Sequence, residues 1–143
     1  MAIHPGETKD LAALAGNGWR LVDPARVAGT PADYQRFIQD SRAEFGIAKS
    51  GYVAARCGWF SDRSICYLAS GRPVIAQDTG FPKFVPTGTG LFSFATSDDV
   101  LSAIEAIRHD YARHARAARI LAEEYFDSDK VLGRLLSCIG AMP

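Results

Sequence analysis

The chain has no run approaching about 18 apolar residues, and its start, MAIHPGETKD, lacks a basic region followed by an apolar core. The sequence therefore predicts no membrane span. It also lacks an excess of charge: Lys plus Arg number 16 and Asp plus Glu number 16. That balance provides no global field for nucleic acid or an acidic membrane surface, so any anion site must be local. Cysteine is sparse. Cys57, Cys66 and Cys138 form no Cys-x-x-Cys pair and have no histidine at zinc-ligand spacing, which excludes the common zinc sites and suggests a reducing cytoplasm with buried thiols. Catalytic signatures are missing as well. There is no Gly-x-Ser-x-Gly, no His-Glu-x-x-His and no Walker A sequence, and Gly88-Thr89-Gly90 lacks the last glycine of a dinucleotide fingerprint. The histidines His4, His109 and His114 lie at the start and in a basic stretch, so no catalytic base, cofactor or metal ligand is nominated.

What is present is a chain of 143 residues, 48% apolar, long enough for one domain with a real core. Residues 7 to 15 have helical composition closed by Gly16-Asn17-Gly18, and Trp19-Arg20-Leu21-Val22 reads as a short strand ended by Asp23-Pro24. Pro31 opens a helix through Ser41 with Tyr34, Phe37 and Ile38 on one face, and Phe45 to Ala48 is a second strand candidate. Residues 49 to 60 read as a loop or short helix. Ser61 or Asp62 caps a helix to Ser70 that Gly71 ends, and Pro73 to Gln77 is a strand. Leu91 to Phe94 is the fourth candidate. Ser97-Asp98-Asp99 caps a helix with Val100, Leu101, Ile104 and Ile107 inward, and two further helices span about 110 to 125 and 128 to 139. The last is opened by Asp127 and striped by Val131, Leu132, Leu135 and Leu136.

Strands alternating with helices indicate an α/β class, a Rossmann-like parallel sheet with helices on both faces and an all-helical C-terminal third. Residues 1–143 are expected to form a single domain. Doubly wound domains usually begin with a strand and carry more strands than this, so the first strands of a larger domain are expected to be missing.

Chemistry concentrates at two places. Ser61-Asp62-Arg63-Ser64 opens a helix, where free amides and the positive end of the dipole favour an anion such as phosphate; the plainer alternative is a cap beside a solvated arginine. Gln77-Asp78-Thr79-Gly80-Phe81 follows a strand at its carboxyl end, where parallel sheets bind ligands. Gly80 would allow close backbone approach, and Asp78 and Thr79 offer an acceptor and a hydroxyl; a plain turn is the alternative. Lys49 follows another strand candidate and could meet a phosphate. Trp59 and Phe60 suit core packing or stacking on a base. Arg108, His109, Arg113, His114, Arg116 and Arg119 read as a solvated helix face, with RNA contact as the lesser alternative.

Ala69-Ser70-Gly71-Arg72-Pro73-Val74, Asp78-Thr79-Gly80 and Gly90-Leu91-Phe92, followed by SDDVLSAIEAI, resemble the C-terminal, donor-binding half of GT-B type glycosyltransferases from about residue 43 onward. The resemblance implies a nucleotide-sugar in a cleft between two domains, faced by the helix starting at Ser61 and the loop at Gly80-Phe81. The family's Glu-x7-Glu carboxylates are replaced: counting back from Gly71 places Cys66 and Gly58 there. A complete enzyme of this kind also needs an acceptor domain, so this chain alone is not expected to catalyse. The function expected is a donor domain binding a nucleotide-diphosphate sugar, partnered by an N-terminal acceptor domain or a second copy. The alternative is a non-catalytic, self-associating α/β module.

Overall fold

The computed structural model describes residues 6–141. Two compact units divide after Asp40. The first contains α1 (Thr8–Gly16), α2 (Pro24–Val27) and α3 (Pro31–Asp40). Helix α1 closes where expected, because Gly18 at φ +76 lets the Trp19 amide donate to the Leu14 carbonyl at 3.0 Å. The strand expected at Trp19 to Val22 does not form. The first amide is already committed to the helix end, and Trp19 and Arg20 are exposed, so no apolar face drives pairing. In α3, Ile38 is the buried member of the expected face.

The second unit contains β1 (Glu44–Gly46), α4 (Ser50–Ala55), α5 (Asp62–Ala69), β2 (Val74–Gln77), β3 (Leu91–Phe94), α6 (Ser97–His109), α7 (Tyr111–Tyr125) and α8 (Ser128–Cys138). The α/β class holds: the three strands form one parallel sheet in the order β1-β2-β3. Phe45, Ile75 and Phe92 stand in register, and their side of the sheet packs on Ala103 and Ile107 of α6. The other side carries Glu44, Val74 and Leu91, and α5 covers β1 and β2. Val74, Leu68 and Leu91 are wholly buried. Removing any one of them would cost about 2–5 kcal/mol by loss of transfer energy and a residual cavity.

Local chemistry explains the boundaries. Thr96 and Asp99 form a reciprocal capping box on α6, and the Asp127 carboxylate accepts from the Asp129 and Lys130 amides of α8. Gly71, at φ +66, turns the chain from α5 into β2. At Gly90, φ is +78 and an added Cβ would lie 2.4 Å from the Ala118 nitrogen, so only glycine lets α7 approach this turn.

Three expectations are corrected here. Leu101 and Ile104 do not face the core, being 64% and 41% exposed, because Ala103 and Ile107 occupy that stripe. The stripe on α8 is likewise exposed, with Val131, Leu132, Leu135 and Leu136 all open to solvent. The three thiols are exposed rather than buried. Among the described residues, no helix is long and apolar enough to cross a membrane.

Candidate functional site

The carboxyl ends of β1 and β2 meet the start of α5 at a small cavity. It is lined by Gly46, Ile47 and Ala48 after β1, by Ala76 and Gln77 of β2, and by Ser61, Arg63 and Ser64. Trp59, Phe60 and Phe81 complete it, and its volume is about 20 Å³, room for one water molecule. Of the residues singled out in the sequence, Ser61, Arg63, Ser64 and Phe81 therefore converge, together with Trp59, Phe60 and Gln77.

The helix start is left open. Ser61 holds the position before α5 with extended backbone, but its hydroxyl makes no capping bond; it lies 3.5 Å from the Asp62 carboxylate. Of the two caps expected, Ser61 or Asp62, Ser61 holds the position without the side-chain bond. Asp62 instead folds its carboxylate onto the Arg63 amide at 2.8 Å. The amides of Asp62 and Ser64 have no acceptor among the described residues. Ser64 is 2% exposed and lines the cavity.

Arg63 is held from below. Its Nε donates to Glu44 Oε1 at 2.5 Å, and the Glu44 side chain is buried. Gly46 lies beside the guanidinium, where an added Cβ would make an ordinary contact with Nη2 at 3.7 Å. The pair is internally neutral, so Arg63 presents directed N–H donors more than net charge. Glu44 was not singled out in the sequence. It sits on an apolar-flanked strand, and its partner is 19 residues away.

The second expected cluster has a different use. Thr79 is 0% exposed and its hydroxyl donates to the Trp59 carbonyl. The Thr79 carbonyl accepts from the Gly58 amide at 2.8 Å, and Asp78 pairs with Arg56 at 3.3 Å. Gly80, at φ +94, admits the Arg56 carbonyl, which would lie 2.8 Å from an added Cβ. The close approach expected of a ligand is thus made by residues 56 to 59. These bonds clasp two loops together and hold Trp59 and Phe60 at the cavity, where Phe60 stacks on Phe126 at 5.4 Å and meets Phe81 in a tilted contact at 5.1 Å. Gln77 adds a tie by accepting the Ala48 amide at 3.1 Å. Lys49 lies just before α4 and does not line the cavity, and Cys66 sits on the exposed side of α5, also outside it.

The basic stretch of α6 and α7 does not make one solvated face. His114 is buried, 5% exposed, with its Nδ1 accepting the Gly90 amide at 3.2 Å and its ring against Phe92. Burial, aided by the Arg113 charge, holds its pKa below the usual imidazole value, against the opposing pull of Asp110. Arg119 ties Glu123 to the Ala69 carbonyl at the end of α5. Among the described residues no group of His, Cys, Asp and Glu is placed to hold a metal ion. Comparison with family models, with curated proteins and with solved structures finds no match for this chain.

Proposed function

We propose that the chain is a glycosyltransferase-like donor domain that binds the diphosphate of a nucleotide-sugar at the start of α5. The observation that carries this reading is the convergence of Ser61, Arg63 and Ser64, at a helix start with no side-chain cap, on a cavity at the strands' carboxyl ends. A phosphate across the mouth would accept from the Ser64 hydroxyl, from the open amides of Asp62 and Ser64, and from Arg63. The cavity itself holds only a water, so the nucleoside and sugar lie outside it, with Trp59 at the rim offering a stacking face. The residue pattern from Ala69 to Phe92 gives independent support through its resemblance to GT-B donor halves. Asp62 opposes the ligand, and the absence of a nominated base leaves hexosyl transfer to an acceptor half.

Calorimetric or thermal-shift titration with uridine, guanosine and thymidine diphosphates and their sugars tests it. Saturation at 100 times Kd would stabilise the fold by about 2.7 kcal/mol. No stabilisation by any of them at millimolar concentration would refute the proposal.

A second reading is a self-associating module. It is favoured by the exposed apolar row Val131, Leu132, Leu135, Leu136 and Ile139 on α8. Light scattering showing a monomer at tens of micromolar would remove it.

A further inference from the structure

A second concavity lies on the opposite side of the sheet, beside α6 and at the start of β1. Its volume is about 570 Å³, within the range of about 300–1,000 Å³ that takes small ligands. The floor is apolar, formed by Ala43, Ile75, Ile104 and Ile107, and the cations Arg42 and Arg108 also line it. None of the lining residues is acidic.

Neither arginine forms an ion pair among the described residues. Arg42 stacks its guanidinium on the Tyr111 ring, 4.6 Å from the centroid, and its carbonyl accepts from the Tyr111 hydroxyl at 2.9 Å. Arg72 donates to that hydroxyl at 3.0 Å, so the tyrosine that carries Arg42 is itself held. The stacking fixes the guanidinium and leaves its edge free to bond. Arg108, in the last turn of α6, has no ion-pair or hydrogen-bond partner among the described residues. Two cations outside these ion pairs, beside an exposed isoleucine and a buried sheet face, make a complementary surface for one kind of molecule. Its body must be apolar to displace water from Ile104, the exposed isoleucine over the edge of the Ile75 and Ile107 core. Its head must be anionic, and a planar carboxylate matches the guanidinium fork.

We propose that this groove is a binding site for a small amphipathic carboxylate, separate from the cavity at α5. The apolar tail lies along Ile104, and the carboxylate is received by Arg42 and Arg108.

The test is an amide chemical-shift titration of the full chain with 4-phenylbutyrate, and in parallel with 4-phenylbutan-1-ol, which keeps the body and removes the charge. Shifts are expected at residues 42 to 43, 75 and 104 to 108, with the carboxylate binding at least about tenfold tighter than the alcohol. Arg108→Gln alters an exposed side chain with no partner, so it should fold and weaken the carboxylate by about tenfold while leaving the alcohol unchanged. Ile104→Ser should weaken both ligands. Equal binding of acid and alcohol, shifts centred elsewhere, or no saturable shift with either ligand would overturn the proposal. So would a dimer whose interface covers the groove.

Discussion

Acidification should loosen the joint between α7 and β3 through one residue. His114 is neutral in the fold because its Nδ1 accepts the Gly90 amide, and a protonated imidazole has no acceptor to offer. Its pKa lies below the unfolded value, so the unfolded chain binds the proton first. Stability is therefore full above about pH 6.5 and falls as pH drops from there toward the depressed folded value, by at most about 1.4 kcal/mol per pH unit for one proton. Protonation would leave the Gly90 amide unpaired, and that cost is contained in the linkage rather than added to it. No rearrangement can easily relieve this, because α7 lies against Gly90 too closely to admit a Cβ. Urea denaturation at a series of pH values reads the slope. His114→Asn places an oxygen acceptor near the position of Nδ1 and cannot titrate. It should lower stability through the lost Phe92 contact but abolish the His114 part of the slope. His114→Ala should cost a further 1–3 kcal/mol or so at neutral pH by orphaning the amide. An unchanged slope in His114→Asn, or a His114 pKa at or above the usual imidazole value by NMR, would refute the reasoning.

Other outcomes follow from the same structure. Gly90→Ala should destabilise by about 2–5 kcal/mol, combining left-handed strain with overlap on Ala118, as read by urea midpoint. Asp99 is held below its ordinary value by the Ala95 and Thr96 amides. Its contribution is present above the unfolded carboxylate range and is lost as pH falls through the folded value, so Asp99→Asn should flatten the acid limb of stability below about pH 4. Asp62→Asn should tighten nucleoside-diphosphate binding several-fold by calorimetry, because a carboxylate at the helix start repels phosphate; weaker binding would show that Asp62 serves the ligand.

The elements of the second unit were legible where local chemistry speaks twice. Gly71 between α5 and β2, Asp99 in the first turn of α6, where the cap itself is Thr96 and not the expected Ser97, and Asp127 before α8 each mark a boundary by a cap or a positive φ as well as by apolar pattern. Trp19 to Val22 has strand composition alone, and the Trp19 amide is taken by the Leu14 carbonyl at the end of α1. The inward face of α6 was misplaced because isoleucine and leucine outrank alanine by hydrophobicity, whereas close packing on the sheet selected Ala103. At the site, the sequence marked Ser61, Arg63 and Ser64 by their position at a helix start. It could not separate Ser64, which lines a cavity, from Thr79, whose hydroxyl is taken by the Trp59 carbonyl. That distinction depends on which loop lies opposite, and residues 56 to 59 reach Asp78 to Gly80 only in the folded chain.

The central claim is that a diphosphate binds at the start of α5, and amide shift mapping with uridine diphosphate in the intact chain and in Ser64→Val tests it most directly. The account predicts saturable shifts at Ser61 to Ser64 and at Gly46 to Ala48, weakened by about tenfold when the Ser64 hydroxyl is removed. Shifts that avoid α5, or an affinity unchanged in Ser64→Val, would contradict it.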